Sequence, residues 1–396
     1  MSVQVIKPRI RGFICTNAHP VGCEKNVQEQ VDYIKSLGAQ NSDNLNVLVV
    51  GGSTGYGLAS RIALTWLYGG KSIGVYYERP ADGKRTATAG FYNSYALRQL
   101  AAKDGFFASD VNGDAFSDDL KRETIDRIKR ELGRVDVLVY SLASPRRFHP
   151  RTGAEHQSVL KPIGEPYSGK TIDLNREVIA DVHIEPATDA EVEDTVAVMG
   201  GEDLEMWVEA LMEENLLAKE CTVVTYTYIG HELTWPIYRD GTIGKAKEDL
   251  EGRINALDVR LSSSMGGHAY LSVNKAVITQ ASSAIPVVPL YVSMLNDIMD
   301  AQGTNEDPIR QMGRLFSEHL GPSLTPALDA DRRLRLDDRE LRSEIVGEVT
   351  RRWDEVNTEN FLDLSDYAGF KRGFRNLFGF EVAGVDYDAP VDIELV

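Results

Sequence analysis

NVLVVGGSTGYGLASRIALTWLYG, residues 46–69, decides the fold. Val47 to Val50 form an apolar run of strand length that breaks on two glycines. From residue 58 the apolar positions take a helical period, which stops at Gly69–Gly70. Between them lies Gly51-Gly52-Ser53-Thr54-Gly55-Tyr56-Gly57, a GxxxGxG loop. Its glycines permit a tight turn and a close backbone approach to a pyrophosphate. The following helix offers its free N–H groups to the phosphates. The loop reads as a dinucleotide site over Gly51, Gly52, Ser53, Thr54, Gly55 and Tyr56, with a plain tight turn as the alternative.

Downstream the alternation repeats. KSIGVYYE (71–78) reads as a strand and SYALRQLAAKDG (94–105) as a helix. A short strand and turn follow within residues 106–116. An amphipathic helix spans 119–133, and VDVLVYSLAS (135–144) is a strongly apolar strand. This order predicts an α/β fold with a doubly wound parallel sheet of the Rossmann type. In such sheets ligands bind outside the carboxyl ends of the strands. Glu78, closing the second strand, is placed to accept from an adenosine ribose diol and to repel a 2′-phosphate, which favours NADH over NADPH. Arg79 beside it weakens that inference, and a solvated acid is the alternative. Asp114-Ala115 and Leu142-Ala143, after the third and fourth strands, are candidates for the adenine and nicotinamide sides.

Residues 145 to about 188 are rich in Pro, Gly and Lys and read as a long irregular insertion. Residues 189–218 show helical pattern broken at Gly200–Gly201, and CTVVTYTYIG (221–230) reads as a further strand. Charge density rises after Gly321. The expected organisation is a catalytic domain over 1–320 with an insertion at about 145–220. A mostly helical C-terminal appendage over 321–396 packs on it.

The 396 residues carry 43 Lys and Arg against 60 Asp and Glu, a net charge of −17. That argues against nucleic acid or an anionic membrane as the main partner. Three cysteines, Cys15, Cys23 and Cys221, give no disulfide framework and fit a reducing compartment. His19 lies between the first two, but no fourth metal ligand is evident. The N-terminus lacks a signal-peptide core, and AIPVVPLYVSML (284–295) is too short to span a bilayer. A cytoplasmic protein is expected. No HExxH or GxSxG motif appears, which disfavours metalloprotease and serine-hydrolase chemistry. Arg146, Arg147, His149 and Arg151 form a basic cluster, either a contact for carrier phosphates or a solvated loop.

Tyr238 and Lys247, nine positions apart, bring a phenol and an ammonium into one run. Held together, the phenol donates to an oxygen that gains negative charge, and the ammonium lowers the phenol's pKa and grips a ribose. Alone, such a pair is as well explained by a core Tyr and a solvated Lys; the glycine loop upstream shifts the balance. Tyr228, ten residues earlier, is either a core aromatic or a substrate contact.

Long stretches carry a further signal: KPRIRGFICTNAHPVGCE (7–24), GGSTGYGLASRIA (51–63), YSLASPRR (140–147) and TVAVMGGED (195–203). YIGHELTWPIY (228–238), VITQASSAIPVVPLY (277–291) and NLFGFEVAGVDYD (376–388) add to it. End to end, the chain resembles the trans-2-enoyl-CoA reductase family, including the V-type single-chain enoyl-acyl-carrier-protein reductases. The resemblance implies an enlarged relative of the short-chain dehydrogenases that reduces the trans-2 double bond of enoyl thioesters with NADH in fatty-acid synthesis. It implies Tyr238 and Lys247 as the catalytic pair. It places cofactor contacts at Gly51 through Tyr56, Tyr77, Glu78, Asp114, Ala115, Leu142, Ala143, Lys247, Val277, Ile278 and Thr279, and a substrate contact at Tyr228. It also implies a monomer with a C-terminal segment sometimes labelled FAD-binding. Residues 325–390 hold no glycine phosphate loop, so the cofactor expected is NADH. Gly51-Gly52 departs from relatives that often have Gly followed by Ala, Ser or Cys, a change that adjusts packing beneath the pyrophosphate. A carbonyl reductase of the short-chain type and a non-catalytic NADH-binding protein are the competing readings.

Overall fold

A computed structural model describes residues 3–40, 44–322 and 324–394. Among them, seven strands make one parallel sheet: β1 (Asn46–Val50), β2 (Lys71–Tyr76), β3 (Ala108–Asn112), β4 (Val135–Tyr140), β5 (Leu217–Thr227), β6 (His268–Val273) and β7 (Arg333–Arg335). Their spatial order is β7-β6-β5-β4-β1-β2-β3, every neighbour parallel. The chain therefore starts in the middle and winds outward both ways, with the topological switch between β1 and β4.

Period-two alternation explains the layers. Val47 and Val49 of β1 face one core, with Ile62 of α2 (Gly55–Tyr68), Leu97 of α3 (Ala89–Lys103), and Met312 of α9 (Pro308–Arg314). Leu48 and Val50 face the other, with Ile128 of α4 (Asp118–Glu131), Trp207 of α6 (Glu202–Glu213) and Leu257 of α7 (Thr242–Met265). Helix α2 is buried all round from Gly57 to Tyr68. It lies between the sheet and α9, and also packs on α1 (Pro20–Ser36), so its sequence lacks a polar face.

Arg61 on α2 is the exception inside that core. Its guanidinium donates to Asp110 Oδ1 at 2.6 Å, Ser109 O at 2.6 Å and Ser72 Oγ at 3.1 Å. A Cβ on Gly74 would lie 2.4 Å from Arg61 Nη1, so the glycine makes room for it. Arg61→Ala strands a buried carboxylate. Removal of one partner of such a pair costs about 3–5 kcal/mol. Arg98 still reaches Asp110 at 2.7 Å, which sets the expectation at the low end of that range. A lower urea midpoint checks it.

The structure departs from the sequence reading in four places. The insertion is not irregular: it holds antiparallel hairpins, Arg146–Phe148 with Glu155–Gln157 and Tyr167–Asp173 with Val178–Ile184. In the longer hairpin the strands are half-exposed on both faces and carry Gly and Lys, so no clean alternation marks them. The strand expected at 221–230 is β5, running Leu217–Thr227 with an irregular register between Leu217 and Thr222. Helix α1 precedes the first element read from the sequence. The C-terminal segment is helical in α10 (Ser343–Glu355) and α11 (Tyr367–Asn376), yet it also supplies edge strand β7. The break at Gly200–Gly201 separates α5 (Asp189–Met199) from α6 as expected.

Candidate active site

The predicted cofactor residues gather at the carboxyl ends of the strands. Gly51 turns the chain out of β1 with φ +86°, and its N–H donates to Val75 O at 2.9 Å. A Cβ at Gly51 would lie 2.1 Å from Ser141 O, and one at Gly57 would lie 2.0 Å from Gly51 O. The loop is thus packed backbone against backbone. Thr54 caps α2 without a side-chain hydrogen bond, so the first-turn N–H groups are not taken by it. A pyrophosphate satisfies both features, and the residues fit a dinucleotide.

Glu78 follows β2, and its carboxylate accepts from Ser53 Oγ at 2.7 Å. Its backbone N–H is held by Asn112 Oδ1 at 2.8 Å. Gly90 leaves the space this carboxylate occupies, since a Cβ there would lie 1.9 Å from Glu78 Oε1. Tyr77 beside it is 82% exposed. Ala115 is buried after β3, and Asp114 Oδ1 accepts from Phe116 N at 3.0 Å. Leu142 and Ala143 follow β4 across the switch point from Gly51. Val277, Ile278 and Thr279 follow β6, and Thr279 Cγ2 lies 3.9 Å from the place of a Cβ on Gly55, so this segment meets the glycine loop. Tyr56 differs in kind: its hydroxyl is turned inward to Gln311 Oε1 at 2.8 Å and Lys275 O at 3.0 Å. Its phenol proton is already engaged, and its ring packs on Tyr226, centroids 5.5 Å apart.

Tyr238 sits in the turn between the short 3-10 helix Glu232–Thr234 and α7, and Lys247 lies on α7. The turn is fixed by Tyr238 N–H to Thr234 O at 2.9 Å and Asp240 N–H to Trp235 O at 2.8 Å. Gly244 lets α7 start close under it, because a Cβ there would lie 1.7 Å from Arg239 O. Lys247 Nζ donates to Tyr226 O at the end of β5, 3.2 Å away. The Tyr228 and Tyr238 rings meet edge to face, centroids 5.2 Å apart. Burial pushes the Tyr238 phenol up to about 12 and the Lys247 ammonium down to about 8. The downward pull on Tyr238 expected from Lys247 is not found: burial alone sets the direction for each group. The phenol is protonated throughout the neutral range and is a hydrogen-bond donor there.

Sequence reasoning missed the groups behind these tyrosines. Glu340 accepts from Tyr228 Oη at 3.1 Å, Tyr291 Oη at 2.6 Å and Ala276 N at 2.7 Å. Lys275, also buried, donates to Ala276 O at 2.7 Å and Asn296 Oδ1 at 3.2 Å. No local motif marks residues brought together from 49 and 112 positions apart. The basic cluster is a second correction. Arg147, 1% exposed, pairs with Glu202 at 2.7 Å, and His149 is buried beside it. Those two knit the insertion to α6 and are withdrawn from any carrier phosphate; Arg146 and Arg151 stay exposed.

Comparison with known proteins shows the family. The family described as the trans-2-enoyl-CoA reductase catalytic region matches residues 85–320. The NAD(P)H binding domain of trans-2-enoyl-CoA reductase matches residues 5–83. An enoyl-acyl-carrier-protein reductase (NADH) of Opitutus terrae is 52% identical over 98% of both chains. One from Pseudomonas paraeruginosa is 50% identical over 98% of this chain and 97% of its own. Among solved structures, a Clostridium acetobutulicum trans-2-enoyl-CoA reductase in complex with NADH superposes with TM-score 0.95 at 41% identity, covering 98% of each chain. The Treponema denticola trans-2-enoyl-CoA reductase in complex with NAD gives TM-score 0.93 at 42% identity over the same shares. Residues 328–391 match a family described as an enoyl reductase FAD binding domain. They do not fit a flavin dinucleotide. No glycine turn joins β7 to a helix, and the N-terminus of α11 is taken by the Asp366 carboxylate, which accepts from Gly369 N at 2.7 Å. That puts negative charge where a pyrophosphate would sit.

Proposed function

The chain belongs to the trans-2-enoyl-CoA reductase family, and from that premise we propose that Tyr238 and Lys247 form its catalytic pair. The protein is an NADH-dependent enoyl-acyl-carrier-protein or enoyl-CoA reductase of fatty-acid synthesis, an oxidoreductase acting on a carbon–carbon double bond. NADH, when bound, supplies the hydride for the β-carbon. The chain's own residues do the rest. The glycine loop and the α2 N-terminus hold the pyrophosphate, and Glu78 and Asp114-Ala115 hold the adenosine half. Leu142-Ala143 and Val277–Thr279 flank the reacting ring, and Lys247 grips the ribose beside it.

As the β-carbon is reduced, negative charge gathers on the thioester oxygen. Tyr238 Oη donates a hydrogen bond to that oxygen, an interaction stronger in the transition state than in the ground state, and the enolate then collapses as the α-carbon takes a proton, directly or through water, to complete the saturated thioester. Two contacts support the assignment: Lys247 donates to Tyr226 O at the carboxyl end of β5, and Tyr238 meets the ring of Tyr228 just beyond that strand. Tyr228, in ring contact with Tyr238, is taken as the thioester contact. Two expectations from the resemblance belong to the same proposal: a monomer, which a sedimentation mass checks, and a cytoplasmic setting. Among the described residues no helix is long and apolar enough to cross a membrane.

The Lys247 assignment has a pH signature. Its ammonium is charged below about 8 and neutral above. A charged Lys247 that binds the ribose therefore makes NADH affinity fall as pH rises through 8. Titration by fluorescence from about pH 6.5 to 9.5, spanning that value, tests it. Lys247→Met is expected to bind NADH more weakly and to flatten the profile. An unchanged slope in that variant contradicts the role.

A further inference from the structure

Among the buried acids that the catalytic description leaves unused, one lies on the substrate side. Glu340 lies in the C-terminal segment between β7 and α10, 1% exposed, beneath the tyrosines of the substrate side. Each of its described hydrogen-bond partners is a donor: the Tyr228 and Tyr291 hydroxyls converge on Oε1, and the Ala276 N–H meets Oε2. Such a site suits the ionised carboxylate, which accepts from all three groups at once, whereas an acid proton on Oε1 would require a tyrosine hydroxyl to turn from donor to acceptor. Burial pulls the other way and raises its pKa, opposed first by the positive charge of Lys275. Lys275, 2% exposed, balances Glu340 from nearby without direct ion-pair contact.

The consequence falls on Tyr228. A phenol has one proton, and Tyr228 donates its own to Glu340 Oε1. Its ring is at the same time the edge-to-face neighbour of Tyr238. Building on the catalytic reading above, we propose that Glu340 is a positioning residue of the reductase. It fixes the Tyr228 ring and hydroxyl proton, and so leaves Tyr238 as the phenol that donates to the thioester oxygen. Through this one side chain the C-terminal segment becomes part of the active site.

The geometry makes Glu340→Gln informative. An amide cannot accept at both ends: either Ala276 N–H loses its acceptor or the two hydroxyls meet an N–H₂ group. Glu340→Asp is the second variant; it keeps the charge that balances Lys275 and withdraws the acceptor by one methylene. Both are measured on the full-length enzyme with crotonyl-CoA and NADH, alone and combined with Tyr228→Phe, alongside NADH affinity and thermal melting. Loss of a hydrogen bond to a charged group predicts a fall in kcat/KM for the enoyl thioester of about tenfold or more. The NADH dissociation constant is expected to stay within about twofold, because the pyrophosphate cradle is untouched. In the Tyr228→Phe background either Glu340 change is expected to cost little more, since the tether has already lost its object. A purely structural role gives a different picture: a smaller active fraction with unchanged KM values, and losses that multiply with Tyr228→Phe.

The proposal is overturned if both Glu340 variants keep wild-type kcat/KM, or if their losses multiply in full with that of Tyr228→Phe. Tyr238→Phe, run beside them, separates this outcome from failure of the catalytic reading. A crippled Tyr238→Phe with unaffected Glu340 variants removes only the Glu340 role. A fully active Tyr238→Phe removes the catalytic assignment on which that role rests.

Discussion

Tyr238→Phe lowers kcat for trans-2-enoyl thioesters by about 100- to 1000-fold, the usual loss for a single oxyanion donor. The substitution removes one oxygen and keeps the ring that meets Tyr228 at 5.2 Å. Packing is therefore retained, and the missing hydroxyl is the cause of any change. With a pKa near 12 the phenol is protonated across the working range, so the loss is expected to be the same at about pH 6.5 and about pH 8. NADH affinity is expected to be unchanged, because Tyr238 lies in the turn before α7, away from the pyrophosphate cradle proposed at Gly51 to Tyr56. Steady-state rates at two pH values and a fluorescence titration read all three expectations.

The second large effect belongs to Gly51→Ala. At φ +86° an alanine carries a backbone penalty of about 1–2 kcal/mol. Steric overlap adds more. The new methyl would sit 2.1 Å from the Ser141 carbonyl oxygen, which is backbone and cannot swing aside. The loop must shift away from β4, and the α2 N-terminus moves with it. NADH affinity is expected to fall at least about tenfold, the ratio that about 1.4 kcal/mol represents, with kcat at saturating NADH less affected. A Gly51→Ala protein with wild-type NADH affinity contradicts the cradle as described. Gly105, also at positive φ but with nothing within 4 Å of its would-be Cβ, is the control: alanine there carries only the backbone penalty.

The contrast between those glycines also shows what the sequence reveals. Gly51 is legible because four apolar residues precede it and a helical period follows. A buried parallel strand, a glycine turn and an amphipathic or buried helix each leave a local pattern. Strands β1, β2 and β4 and helices α2 and α4 follow from that pattern to within a few residues. The hairpin Tyr167–Asp173/Val178–Ile184 does not. It is held by contacts far along the chain, such as Lys170 Nζ on the Trp353 carbonyl at 2.7 Å. Strand β7 is hidden for a different reason: it has three residues, and the arginines at both ends are ion-paired, Arg333 to Glu251 and Arg335 to Asp337. Its sequence looks like a charged helix.

The candidate site divides the same way. Residues at strand ends, Glu78, Asp114-Ala115 and Leu142-Ala143, are readable from topology, because a doubly wound sheet dictates where its ligands lie. Tyr77 and Val277–Thr279 are accessible only through the family resemblance, since nothing in their local pattern marks a ligand. Glu340 is invisible in the sequence. An acid in a charged stretch gives no sign that it will be buried under two tyrosines, 49 and 112 positions away. The reversed direction of the Tyr238 pKa has a similar origin: proximity of a cation can be guessed from spacing, but burial cannot.

The most direct test of the account is a paired measurement on one preparation of Tyr238→Phe. NADH affinity is determined by fluorescence, and the single-turnover loss of nicotinamide absorbance is followed with saturating crotonyl-CoA. The account predicts an NADH dissociation constant within about twofold of wild type and a turnover rate at least about 100-fold lower. Retained turnover would contradict it outright. Loss of NADH binding together with turnover would also contradict it, since Tyr238 would then serve the cofactor cradle rather than the thioester oxygen.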